Sequence, residues 1–196
     1  MVIRGREPTS RGARACADFL FVRDYCYGSM FRHNASGEFN IPYGGTSYNG
    51  KRFLDRFDQI VAPTTQVALA RATFTCGDFA PFLERIAKSF GTQDFVFADP
   101  PYDSDFKSYG PVAFSQDDHR RLAKALAGLP CPWLLVIKET DFVRDTYLSA
   151  TTRRRGAREV RSFGKTYGYN VRGRNERAVR HLAIGNYTVK TARKPT

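Results

Sequence analysis

The sequence predicts an α/β fold built on one mostly parallel sheet, with an antiparallel pair at its C-terminal edge. Three observations carry that reading. Strand-like and helix-like segments alternate through the middle of the chain. Two continuous apolar runs of strand length, at 95–98 and 133–137, are of the kind buried on both faces of a parallel sheet. The composition, 42% hydrophobic with 16 glycines in 196 residues, is that of a folded chain with a sizeable core. It excludes a disordered tail, a collagen-like repeat and a disulfide scaffold.

The elements follow in chain order. Residues 1–16 are basic and expected to be flexible. A short helix is predicted over 17–27, followed by Gly28 and a β-hairpin. In the hairpin, residues 31–34 and 38–43 flank the Gly-containing turn 35–37. Residues 44–47 read as loop, and a helix over 51–61 ends before Pro63. A short strand is predicted at 72–75. Asp78 or Phe79 then opens a helix over 81–90, and strand 95–98 follows. The polar, aromatic stretch 99–114 is loop, and Ser115 is placed to cap a helix running to about residue 126. Strand 133–137, helix 141–148 and strand-like pieces at 157–163 and 179–186 complete the order.

Charge narrows the function. The net charge of +12 favours a polyanionic partner, nucleic acid before a membrane surface. Residues 153–180 hold ten basic and two acidic side chains, whereas residues 74–106 are mildly acidic. Basic walls around an acidic centre suit an active site served by nucleic-acid contacts. Cys16, Cys26, Cys76 and Cys131 stand far apart with no C-x-x-C pair, so reduced thiols and a cytoplasmic location are expected. No apolar run approaches the roughly 20 residues that span a bilayer.

The residues that speak most directly of chemistry are Asp99, Pro100, Pro101 and Tyr102, directly after an apolar strand. Ligands of open α/β sheets bind at the carboxyl ends of strands, and these residues occupy that position. Two prolines fix φ twice and remove two backbone donors. A carboxylate, carbonyl oxygens without competing N–H groups and an aromatic ring remain. Such a set accepts hydrogen bonds from an amino group and stacks on a flat ring. A purine amine is a poor nucleophile, because its lone pair is delocalised into the ring. Two acceptors, the Asp99 carboxylate and the Pro100 carbonyl, would hold its hydrogens and draw the nitrogen towards tetrahedral geometry. They also stabilise the positive charge that develops there during attack on a methyl group. Tyr102 would stack on a base extruded from the duplex.

At these residues the chain resembles the Dam-type DNA adenine methyltransferases, which use S-adenosylmethionine to methylate the exocyclic amine of adenine. The resemblance extends over about residues 17–187. Upstream, residues 27–34 and 37–44 are similar to that family's target-recognition hairpin. This assigns Arg32 to a guanine and makes Asn34, Pro42 and Tyr43 DNA-facing residues. A bidentate Arg on guanine is the commonest specific contact in the major groove; a surface or phosphate-binding arginine is the alternative. The equivalent of Thr46 is often aromatic in the family. Phe106, Tyr109 and Phe114 resemble its loop over the target base, with packing on the sheet as the alternative. Asp78 and Phe79 resemble the residues at the cofactor's adenine, with Asp99 beside them, although Asp78 is also suited to cap a helix. Residues 167–175 and 181–187 resemble the family's C-terminal β-hairpin, where Arg172 and Arg174 would contact phosphates. The resemblance implies a partial Rossmann-like methyltransferase sheet carrying a β-hairpin target-recognition insertion, double-stranded DNA as partner, and no metal. The regions implied are 1–16, a recognition region 17–62 with its hairpin at 31–43, and a catalytic region 63–196.

One departure stands at the front. The family carries a Phe-x-Gly-x-Gly-type loop after its first strand, which binds the methionine end of the cofactor. Here Gly5 and Gly12 lie in the basic N-terminus without a preceding apolar strand. The expectation is therefore a truncated copy, a fragment of a longer gene, or one half of a split enzyme completed by another chain carrying the loop. Its alternative is a catalytically inactive DNA-binding remnant. Either way, strand 95–98 is expected to expose an edge that the missing strand would cover.

Overall fold

A computed structural model of the chain describes residues 12–30, 32–34, 36–50, 52–103, 114–149, 159–166 and 178–188. The chain divides into two compact units, Met1–Thr75 and Cys76–Thr196, so the expected boundary at 62/63 falls inside the first.

In the first unit, helix α1 spans Ala13–Tyr25. It begins four residues before the predicted start, because Ala13, Arg14 and Ala15 are strong helix formers and only Gly12 stands before them. Residues 13–16 are thus helical, not a loose continuation of the N-terminus. The chain then reverses through two isolated antiparallel bridges, Cys26 with Tyr43 and His33 with Phe39. At the tip, Asn34 Oδ1 accepts from the backbone N–H groups of Ser36 (3.0 Å) and Glu38 (2.9 Å). Gly37 there takes φ +81°, a left-handed conformation that glycine adopts without steric cost. Among the described residues the region predicted as a hairpin holds these single bridges and no regular strands.

Helix α2 spans Phe53–Val61 and helix α3 spans Pro63–Ala70. Pro63 ends the one and opens the other at its first turn, where a missing N–H costs nothing. Residues 72–75, expected as a strand, are irregular and exposed, with Phe74 79% accessible. No strand lies alongside them among the described residues, and an unpaired ladder is not a strand.

The second unit holds a four-stranded sheet. Its strands are β1 (Val96–Ala98), β2 (Trp133–Lys138), β3 (Glu159–Thr166) and β4 (Ala178–Gly185), in the order β1-β2-β4-β3. The β1–β2 pairing is parallel and the other two are antiparallel, so the described sheet is not mostly parallel as expected. Helices α4 (Phe79–Ala87), α5 (Gln116–Ala127) and α6 (Asp141–Leu148) supply the remaining layer. Strand β2 alternates strictly, with Trp133, Leu135 and Ile137 at 1% exposure or less. They meet Leu182 and Ile184 of β4 and, from the helices, Leu83, Leu126 and Val143 in one core.

Strand β1 is an edge strand, paired on one side only among the described residues. The run 95–98 was expected to be buried on both faces. Instead Phe95 is 51% and Phe97 60% exposed, and no described helix covers that face of the strand there. Helix α5 opens on a full capping box. Ser115 Oγ accepts from Asp118 N at 3.2 Å, and Asp118 Oδ2 accepts from Ser115 N at 2.8 Å.

Candidate functional site

Strand β1 delivers Asp99 at its carboxyl end, two residues beyond the exposed Phe97. The Asp99 side chain is exposed, and among the described residues it makes no hydrogen bond or ion pair. Pro100, Pro101 and Tyr102 are half-buried behind it. The two prolines present carbonyl oxygens and no N–H, so the two residues that follow Asp99 offer its carboxylate no backbone donor. The result is a free carboxylate among acceptors.

Tyr102 packs against the core and reaches across the sheet to β4. Its hydroxyl lies 3.3 Å from His181 Nε2, and the two rings meet edge to face with centroids 5.4 Å apart. Asp103 anchors the next position. Its Oδ2 accepts from Thr140 Oγ1 at 3.1 Å and its Oδ1 from Gln116 Nε2 at 3.2 Å. Thr140 caps α6 and Gln116 opens α5, so one carboxylate ties the loop to the starts of two helices. Sequence reasoning missed Asp103 and the part played by His181. Asp103 lies in a polar loop and His181 in a largely apolar strand, and neither local pattern carries a sign of a contact made 37 or 79 positions away.

Asp78 and Phe79 sit at the start of α4. Asp78 caps the helix, its Oδ1 accepting from Ala80 N at 2.7 Å. Arg121 of α5 donates to both Asp78 oxygens at 2.9 Å, and its guanidinium lies 5.1 Å from the centre of the Phe79 ring. The Ala80 N–H, followed by Arg121, holds the Asp78 carboxyl below its ordinary pKa. Phe79 also packs against Phe114, which in turn meets the buried His119 edge to face. Phe114 is therefore a packing residue in the described structure, and the capping role of Asp78 is realised.

In the first unit, Arg32 is exposed and donates from Nε to Asn40 Oδ1 at 3.0 Å. Asn34 is spent on the turn and on Glu38, to which its Nδ2 donates at 3.0 Å. Pro42 and Tyr43 are exposed; the Pro42 carbonyl accepts from Tyr27 N at 2.8 Å, and the Tyr43 hydroxyl bonds to Asn49. Tyr109, Phe106, Arg172, Arg174 and the arginine run 153–155 lie outside the described residues. No group of three or more His, Cys, Asp or Glu side chains among the described residues could hold a metal ion. No helix among them is long and apolar enough to cross a membrane.

A mixed α/β sheet with an acceptor-rich loop at the carboxyl end of a strand is the arrangement of an enzyme that binds its ligands at the sheet's edge. The profile of the D12 class N6 adenine-specific DNA methyltransferases matches residues 4–161, and the chain belongs to that family. It is 33% identical over 130 residues to a type II methyltransferase, M.CviBI, of Paramecium bursaria Chlorella virus NC1A, covering 66% of this chain and 46% of that one. To the retron Ec67 DNA adenine methylase of Escherichia coli it is 32% identical over 136 residues, 68% of this chain and 44% of the other. A DNA adenine methylase of Serratia marcescens is 28% identical over 167 residues, 81% of this chain and 56% of its own length. The chain thus spans about half the length of the curated relatives it matches.

Proposed function

We propose that this chain transfers a methyl group from S-adenosylmethionine to the exocyclic amine of adenine in double-stranded DNA, at a short specific sequence. The observation that carries this is the free Asp99 carboxylate at the end of β1, flanked by two proline carbonyls and the ring of Tyr102. Asp99 and the Pro100 carbonyl accept the two amine hydrogens. As the nitrogen takes on positive charge, both acceptors strengthen their hold without reorganising. Tyr102 stacks on the extruded base, and once the new bond has formed the excess proton passes from the nitrogen by way of the Asp99 carboxylate to water. Asp99 orients and stabilises; it need not act as a strong base.

S-adenosylmethionine supplies the electrophilic methyl group. Its adenine end fits Asp78 and Phe79, a carboxylate for an amine and a ring for a ring face. Arg121 already engages that pair in the way an amino-purine would, with one nitrogen donating to both carboxylate oxygens and a flat group over the ring. Its methionine end has no matching backbone cradle among the described residues. We therefore propose a polypeptide segment carrying a glycine loop, seated against the open edge of β1. The target-recognition role falls to the reversal at 31–43, with Arg32 released from Asn40 to read a guanine. Arg172 and Arg174 hold the DNA backbone.

The test is expression together with a glycine-loop segment in a bacterial host lacking adenine methylation, followed by single-molecule sequencing of its DNA. N6-methyladenine confined to one short motif is the expected result. Methylation of cytosine instead would contradict the proposal, as would methyl marks on adenine that persist with Asp99→Ala.

A further inference from the structure

His181 is an unusual residue for its place. On β4, Leu182 and Ile184 point into the core, so the alternation of a strand turns His181 to the opposite face. A polar side chain on that face is ordinarily solvated. Here His181 is 1% exposed. Two rings cover it. Phe163, its register partner on β3, stacks on the imidazole at 5.7 Å with the planes 28° apart. Tyr102 closes the other approach edge to face, with its hydroxyl on Nε2.

We infer that His181 is a positioning residue for methyl transfer: its hydrogen bond and its ring edge hold Tyr102 at the angle from which the tyrosine stacks on the target base. This rests on the reading of Asp99 and Tyr102 given above and deepens it. Tyr102 already packs against the core, and what remains to be fixed is the tilt of its ring before the base arrives. A bond from the tip of the ring to a buried strand residue removes that freedom in advance, which is where such a contact contributes to rate. The imidazole suits the task because it is rigid and buried within the sheet. Burial, helped by Lys165 and Lys138 and opposed by Asp99, keeps its pKa below the ordinary 6.5, so it is neutral at pH 7 and sets no cation against the amine that gains charge. The register places both groups towards the carboxyl ends of β1 and β2, since Ala98 pairs with Leu135 and Lys138 pairs with His181.

The test compares His181→Leu, His181→Gln, Tyr102→Phe and the double variant His181→Leu/Tyr102→Phe, using labelled S-adenosylmethionine and unmethylated bacterial DNA. His181→Leu and Tyr102→Phe should each lower kcat about tenfold, the size of one lost hydrogen bond, with KM for DNA within about twofold. The double variant should be no worse than either single one, and His181→Gln, whose amide can reach the same hydroxyl, should recover most of the loss. A Tyr102→Phe variant of full activity, or multiplying losses in the double variant, would overturn the inference. If the wild-type chain transfers no methyl group even with a glycine-loop segment supplied, the reading of its activity fails, and the inference is decided separately by adenosine binding. Adenosine should then shift the Tyr102 ring resonances in the wild type and in His181→Gln more than in His181→Leu; equal shifts in all three would overturn it.

Discussion

His119 lies fully buried between α5 and α6, its Nδ1 3.0 Å from the Tyr147 hydroxyl and its Nε2 without a partner among the described residues. Burial holds its pKa below the ordinary value, against the pull of Asp103 and Asp118. The folded state therefore binds this proton less readily than the unfolded chain does. The stability this represents is complete above about pH 6.5, the unfolded value, and is lost as pH falls through the lower folded value. Thermal melts between pH 7 and pH 5 should show stability declining with acid, by at most about 1.4 kcal/mol per pH unit for one proton. His119→Phe should flatten that decline; an unchanged slope would assign it elsewhere. Arg32 is the second residue with a separable signature. Arg32→Ala should lose about 1–3 kcal/mol of discrimination at one G·C position, measured as relative methylation of single-substituted sites. Equal weakening on all DNA would reduce Arg32 to a phosphate contact.

Among the elements, those with local chemistry were legible in the sequence. Helix α6 spans the predicted residues because Thr140 caps it, accepting from Val143 N at 3.1 Å. Ser115 was equally readable, and Ser115→Ala should cost about 1 kcal/mol in a denaturant titration by removing one half of the capping box. Helix α3 was not legible. Its Val67 and Leu69 are 51% and 42% exposed, so no apolar stripe betrays it, and Pro63 reads as a stop as readily as a start. The segment 72–75 failed in the opposite sense, since apolar residues of strand type have no ladder to join. For the site, the sequence carried Asp99 to Tyr102 and the cap at Asp78. It could not carry Arg121 onto Phe79 or Tyr102 onto His181, because those contacts exist only once sheet and helices have assembled.

At the scale of the whole molecule, a net charge of +12 and a free carboxylate at the end of β1 point the same way, towards a polyanion approached through an amino group. The weak point is the cofactor. With Asp78 and Phe79 engaged by Arg121 and no cradle for the methionine end among the described residues, this chain by itself should bind S-adenosylmethionine only in the millimolar range, about 4 kcal/mol or less by calorimetry. A segment that seats on the edge of β1 and carries a glycine loop should tighten that binding and raise the melting temperature together. Micromolar affinity of the unaccompanied chain would mean that a cofactor site exists elsewhere in it.

The central claim is that Asp99 serves the amine of an adenine in DNA, and it is tested most directly by methyl transfer from labelled S-adenosylmethionine at millimolar concentration to unmethylated DNA, with the product digested to nucleosides. The wild-type chain, with a glycine-loop segment added where it is needed, should yield labelled N6-methyldeoxyadenosine. Asp99→Ala should lower the rate roughly a hundredfold or more while DNA affinity stays within a few-fold. Asp99→Asn, which keeps an acceptor oxygen, should retain a measurable part of the rate. Near-normal transfer by Asp99→Ala, or label recovered in any nucleoside other than N6-methyldeoxyadenosine, would contradict the account.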